Sequence, residues 1–363
     1  MPDRMKKWKI LNLMVIIITA CILYMEVSGE TIIKERKREP EAWILEKAVK
    51  TLPFSGCFGR VGDAADMDES TWALMDDREY PKEEAVNTPC REKIQDLSKR
   101  YREDYDAFAK ERFSDFESVI GRYYTVDSVT YIRPEDMEPL SMLQKNMTIN
   151  TEGERPKILI FHTHSQEAFV DSVPGEPQTT IVGIGSYLTE LLNDKYHIPT
   201  LHHEGVYDLI NGKLDRSEAY QMAKPAIKKL IKDNPSIEVV IDLHRDGVNE
   251  STRLVTEVNG KPTAKIMFFN GMCRTRTNGN LKGISNRYLN ETLSFSMQMK
   301  MTSEMLFPGF TRKNYLKGYK YNMDYVPRTL LIEAGAQNNT LKEMKNAMEP
   351  LAQMLYLVLT QHP

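Results

Sequence analysis

From residue 157 onward the chain alternates short, wholly apolar runs with longer segments of helical period. Residues 157–161 (KILIF), 237–243 (IEVVIDL) and 265–269 (KIMFF) read as strands covered on both faces, because a doubly covered strand loses the apolar/polar alternation of a half-exposed one. Residues 198–201 and 329–332 supply two more. Between them, residues 184–196 carry Leu188, Leu191 and Leu192 at helical spacing, and residues 286–306 read as a long helix. Ser217 is the expected N-cap of a helix through Ile231, with Pro235 beyond its end. Thr340 and Glu343 have the capping-box spacing ahead of a helix ending near Thr360. Strands alternating with helices predict an α/β fold over residues 153–363: a twisted, mostly parallel sheet flanked by helices.

The chain before that point has a different texture. Ile94, Leu97, Tyr101, Tyr105, Phe108 and Phe113 recur at helical spacing within residues 93–116, an amphipathic helix whose aromatic stripe suits core packing or a partner's groove. Residues 123–132 (YYTVDSVTYI) are β-rich and are stopped by Pro134 and Pro139. Residues 150–156 (NTEGERP) read as a linker, so residues 29–152 are expected to form a mixed α+β N-terminal region for partner docking. At the very start, Arg4, Lys6, Lys7 and Lys9 precede an uncharged run over residues 10–25 that Glu26 ends. A positive flank before an apolar run predicts export. Residues 1–28 then form a cytoplasmic tip and a single N-terminal membrane anchor, with the rest outside the cytoplasm. The small residues Val27, Ser28 and Gly29 leave a cleaved signal peptide as the alternative.

A length of 363 residues suggests about two folded units. The formal charge of −3 argues against a nucleic-acid partner, which calls for a basic face or stripe. Four cysteines exclude a disulfide-rich miniprotein. Cys57 and Cys90 both fall in the exported region, where a disulfide is permitted. Cys273 has no neighbour at metal-ligand spacing. The acidic cluster of Asp63, Asp66, Asp68 and Glu69 lacks the EF-hand pattern and reads as a solvated turn.

In open α/β sheets, ligands bind beyond the carboxyl ends of the strands. Three predicted strands end in residues of metal or acid/base type: the first runs into His162, His164 and Glu167, the third into His244, the last into Glu333. Of seven histidines in the chain, three fall at two of these strand ends. A catalytic zinc takes three nitrogen or carboxylate ligands and keeps a position for water. His164, Glu167 and His244 are the expected ligands, with Zn2+ as the cofactor. His162, two residues from His164, is expected to face the same site, either replacing His164 as ligand or supporting the catalytic group. Glu333 is the expected general acid/base that passes a proton to a leaving amine. His202 and His203, ending the second strand, are expected at the rim.

The segments ILIFHTHSQEAF (residues 158–169), IDLHRDG (241–247) and LLIEAGAQNNTLKE (330–343), with YTVDSVTYI (124–132) and YNMDYVPRTLL (321–331), resemble the stage II sporulation protein P family. The Pro308-Gly309 turn with Arg312 accompanies them, and the catalytic part is similar to zinc-dependent cell-wall amidases. The resemblance implies a zinc-dependent N-acetylmuramoyl-L-alanine amidase acting on peptidoglycan, with endopeptidase action on cross-links. It also implies sporulation proteins D and M as partners during engulfment, at the mother-cell membrane. By position, the histidine and glutamate of HTHSQE, His244 and Glu333 match the metal and catalytic positions. Ordinary cell-wall amidases carry their glutamate ligand farther along the chain than Glu167, so the choice between His162 and His164 stays open. The same residue types also suit a zinc carboxypeptidase-like enzyme on stem peptides, or a wall-binding scaffold that keeps its metal for structure.

Overall fold

In the computed structural model, residues 91–361 are described. The expected anchor (residues 10–25) and the Cys57–Cys90 pair lie outside them. Among the described residues no helix is long and apolar enough to cross a membrane. Seven strands form one sheet: β1 (Tyr124–Val126), β2 (Ile158–Phe161), β3 (Thr200–His203), β4 (Val239–Asp246), β5 (Ile266–Gly271), β6 (Asn314–Lys317) and β7 (Arg328–Ala336). Their order is β1-β6-β5-β7-β4-β2-β3. Every neighbouring pair is parallel except β5 and β7. That exception has a topological cause. Parallel neighbours need a crossover, usually a helix, whereas β4 and β5 are linked through only the hairpin Val255–Val258/Lys261–Ala264.

The helices are α1 (Arg91–Phe113), α2 (Phe116–Tyr123), α3 (Pro139–Leu143), α4 (Ile181–Glu190), α5 (Ala219–Asp233), α6 (Leu289–Leu306) and α7 (Leu341–Thr360). Successive residues of a strand point to opposite faces, and the sheet is covered on both. Ile158, Ile160, Ile241, Leu243 and Ile332 pack with Leu188 of α4, Phe295 and Met299 of α6, and Leu351 and Leu355 of α7. Their neighbours Leu159, Phe161 and Val240 meet Ala219, Ala223 and Ile227 of α5. The all-apolar strands are therefore apolar because neither face meets water. Full burial of one such side chain stabilises by about 1.5–3 kcal/mol.

Helix α6 is buried on all sides, so its polar residues must be satisfied internally. Ser296 donates to Asn270 Oδ1, and Gln298 Nε2 donates to the carbonyls of Met142 and Lys145. The aromatic stripe of α1 packs against this helix. Tyr101, Tyr105 and Phe113 join Leu293, Met297 and Met301 of α6 in one core, and the Tyr105 hydroxyl donates to Leu143 O. Strand β1 pairs with β6, so residues before 152 contribute both to the sheet and to its packing.

Local signals were met unevenly. Thr340 forms the expected reciprocal capping box with Glu343. Ser217 does not cap α5. Its backbone N–H and hydroxyl both bond Asp215 Oδ1, and the helix begins at Ala219 after Glu218. The β-rich stretch 123–132 is strand only to Val126, because Asp127 Oδ1 accepts from Val129 N and turns the chain.

Candidate active site

Strands β7, β4 and β2 are adjacent and parallel, so their carboxyl ends open at one edge of the sheet. Glu333 on β7 is the register partner of His244 on β4. Directly paired residues on parallel strands project to the same face, here the α5 side. Just past Glu333 the register of β7 shifts, and Gly335 has φ +59°, a conformation that disfavours a side chain. Such irregularities recur beside active sites, where they aim a neighbouring side chain.

The β2 end supplies the other half. Thr163 is fastened to Asp242 of β4 twice, N to Oδ1 at 2.8 Å and Oγ1 to Oδ2 at 2.6 Å. This turn brings His164 against His244, with ring centroids 5.1 Å apart and planes at 79°. Ser165 Oγ and Gln166 N both donate to buried Asp208, which holds the next turn and delivers Glu167. Glu167 Oε2 accepts from Arg245 N at 2.8 Å and lies 3.7 Å from His244 Nδ1. Tyr220 of α5 covers both imidazoles, edge-on to His164 and stacked over His244.

His162 is not part of this group. Strand alternation ends at Phe161, so the expectation that His162 and His164 share a side is not met. His162 stays on the α4 side, fully buried, with Nδ1 2.7 Å from Leu243 O and Nε2 2.8 Å from His202 Nε2. Burial, reinforced by His202, lowers His162 to about 3, so the ring is neutral. A carbonyl can only accept, so Nδ1 carries the hydrogen, and His202 Nε2–H must donate to His162 Nε2. Ser186 Oγ continues the chain at 3.3 Å from His202 Nδ1. His203 points elsewhere, pairing with the Tyr207 hydroxyl at 2.6 Å.

The four titratable groups of the α5-side cluster are driven apart. Burial, followed by repulsion from the positive charge of His244, lowers His164 to about 3. Burial would lower His244 too, but Asp242 and Glu167 outweigh it and hold the imidazole well above its ordinary value. Burial would raise Glu167, yet His244, His164 and Arg216 bring it to about 2. Glu333 goes the other way: burial, with Asp246, Glu167 and Asp242 adding to it against His244, raises its carboxyl to about 8.

Among the described residues no group of three or more His, Cys, Asp and Glu is gathered closely enough to hold a metal ion. The donor set does suit zinc in kind, being imidazole and carboxylate. Three of its buried polar atoms also have no hydrogen-bond partner: His164 Nδ1, His244 Nε2 and Glu333 Oε2. His244 Nε2 stands 2.8 Å from Asp242 Oδ1, but in a geometry that makes no hydrogen bond. Unsatisfied buried polar atoms are costly, and each calls for a cause such as strain, a catalytic role or a bound water or ion.

Sequence reasoning did not single out Asp242, Asp208, Arg216 or Tyr220. For Asp242 a signal existed, since it lies two residues before His244 on one strand and must share its face. The other three reach the site from the loop and helix after β3, and no spacing rule connects them to it.

A model of the family described as Stage II sporulation protein P (SpoIIP) matches residues 64–356. Stage II sporulation protein P of Bacillus subtilis (strain 168) is 23% identical over 223 residues, covering 58% of this chain and 52% of the relative. The chain thus spans about half the length of the curated relative it matches. Among solved structures, the CwlD amidase of Clostridioides difficile, in complex with the GerS lipoprotein, is similar at 15% identity and a TM-score of 0.33, over 56% of this chain and 95% of that one. The apo form of the N-acetylmuramyl-L-alanine amidase Ami1 of Mycobacterium abscessus is similar at 13% identity and a TM-score of 0.32, over 55% of this chain and 98% of that one. The family match takes in the strand ends that carry His164, Glu167, His244 and Glu333, and on its extent this chain belongs to the stage II sporulation protein P family.

Proposed function

We propose that this protein is a peptidoglycan hydrolase acting in sporulation, and within that class a zinc-dependent N-acetylmuramoyl-L-alanine amidase. The bond cut is the amide joining the glycan's lactyl group to the stem peptide. The observation that carries this reading is the meeting of His164, Glu167, His244 and Glu333 at one edge of the sheet, with His164 Nδ1 and Glu333 Oε2 buried and without a hydrogen-bond partner. Family membership supports the sporulation setting.

His164, Glu167 and His244 would have to draw closer together to hold the zinc ion, which when bound supplies Lewis-acid polarisation of a carbonyl and a water acidic enough to react near neutrality. Asp242 steadies His244 from behind while fastening Thr163, so the two strand ends keep their spacing. Tyr220 covers the imidazoles and limits access of bulk water. Glu333, on the same face as His244, accepts the proton of the attacking water and returns it to the leaving amine. Residues 10–25 anchor the chain in the mother-cell membrane with the catalytic part outside the cytoplasm, where sporulation proteins D and M are the proposed partners.

The test is a digest of purified peptidoglycan, with and without chelator, read by mass spectrometry. Released peptides with a free N-terminal alanine are expected, and chelator or His244→Ala should stop their release. Trimmed peptides still attached to glycan would indicate carboxypeptidase action instead, and binding without release would indicate a scaffold.

A further inference from the structure

We propose that Arg216 reads a carboxylate on the peptide portion of the substrate; this inference deepens the amidase reading and rests on it. Arg216 lies just ahead of α5, and the chain between β3 and α5 is tied to the cleft by Asp208, which accepts from Ser165 and Gln166. That tie brings the guanidinium beside Glu167. Its Nη1 is 3.7 Å from Glu167 Oε1, and its Nε is 4.0 Å from Asp208 Oδ2. Both separations exceed hydrogen-bond range. Among the described residues the guanidinium donates no hydrogen bond, and its Nε is buried without a partner.

The two neighbouring carboxylates pair with it in charge but accept no hydrogen bond from it. Glu167 Oε2 is occupied by Arg245 N, and both oxygens of Asp208 accept from the Ser165–Gln166 turn. The arginine side chain is 16% exposed, so most of it is enclosed while part still meets solvent. A planar fork of donors, flanked by carboxylates yet without a hydrogen-bond acceptor, beside the proposed hydrolytic centre matches a further carboxylate in shape and charge. A peptide substrate always offers at least one carboxylate, at its C-terminus or on an acidic side chain. A guanidinium serving only as counter-charge would instead be expected to hydrogen-bond the carboxylates it neutralises.

The test uses the full-length protein and three muramoyl peptides: one with all peptide carboxylates free, one amidated at the C-terminus, one amidated at the side chain. Equilibrium binding is measured by calorimetry, and kcat/KM by peptide release. The native protein is expected to prefer the free form by about tenfold over one amidated form, which identifies the carboxylate read. Arg216→Gln should bring that ratio to within about twofold of unity. Arg216→Lys keeps the charge beside Glu167 and Asp208 but not the fork, and its ratio should fall at least threefold; it decides the matter if the glutamine variant does not fold. Indifference of the native protein to amidation, or a preference that both variants retain, overturns the assignment. Binding is read apart from hydrolysis. Selective binding with no cleavage would therefore reject the amidase reading while leaving the role of Arg216 standing.

Discussion

Glu333 and His244 are register partners on adjacent parallel strands, so a carboxyl pushed up to about 8 sits on the same face as an imidazole held well above its ordinary value. Burial opposes charge on both, and the surrounding carboxylates settle the outcome in opposite senses for an acid and a base. One neighbourhood therefore produces a carboxyl suited to carrying a proton and a ring paired in charge with Asp242.

Replacement of Glu333 by Gln keeps shape and volume and removes the proton carrier. Peptide release should fall at least about 100-fold, the size of a lost general acid/base. The native state should not lose stability. A carboxyl raised on folding contributes stability that is complete below its unfolded pKa and is lost as pH rises through the folded value near 8. Glu333→Gln has no such loss, so its thermal midpoint at pH 8 should equal or exceed that of the native chain. A lower midpoint would show that the charged carboxylate is structural.

Asp242→Asn tests the tie between the two strand ends. The aspartate accepts from Thr163 N and Oγ1 and lies 2.8 Å from His244 Nε2. An amide keeps one acceptor oxygen and turns its NH2 toward a donor. Urea denaturation should register a loss of about 2 kcal/mol, the cost of unmaking buried hydrogen bonds to a charged group. Zinc affinity, read by competition with a chromogenic chelator, should drop about 10- to 100-fold, as when the group orienting a ligand is removed.

The His162–His202 contact depends on a missing side chain. A Cβ on Gly185 would lie 2.6 Å from His162 Nε2 and 2.7 Å from His202 Nε2. Helix propensity favours Ala over Gly by about 1 kcal/mol, but overpacking a buried site costs about 1–3 kcal/mol. Gly185→Ala should therefore be destabilising on balance. Gly183→Ala should be worse, because its Cβ would meet the Gln178 carbonyl oxygen at 1.9 Å, and backbone yields less readily than a side chain. Equal or greater stability in either variant would contradict the packing described.

Far from the site, Asp136 accepts both terminal nitrogens of Arg274, one of them at 2.9 Å, in a pair largely shielded from water. Burial would raise Asp136, but Arg133 and Arg274 lower it to about 2. Its stabilising contribution is present above the unfolded pKa near 3.8 and is lost as pH falls toward 2. Asp136→Asn should cost about 3 kcal/mol at neutral pH by stranding the arginine. It should also flatten the decline in stability between about pH 4 and 2, as followed by denaturant midpoints across that range.

Much of this was legible in the chain. The apolar runs at 157–161 and 237–243 named two central strands, because a strand covered on both faces has no room for polar alternation. The capping box at Thr340 was equally plain, since its two hydrogen bonds join residues three apart. His164, Glu167, His244 and Glu333 could be picked out because each lies at the end of such a strand. What local pattern could not give was side. Where β2 stops decides whether His162 joins His164, and that end is set by Thr163 bonding to Asp242, 79 residues along the chain. The antiparallel entry of β5 likewise follows from a crossover that is absent rather than from anything in its own residues.

Sequence alone thus determined most of the strands, though not β6, with their apolar faces and the chemical type of the residues at their ends, because period and composition act over a few neighbouring residues. The tertiary structure decided which of those ends adjoin, that His162 pairs with His202 instead of His164, and that Arg216 and Tyr220 stand beside Glu167 and the two imidazoles. Those contacts join segments tens of residues apart, and only the packing of the sheet against α4 and α5 fixes them.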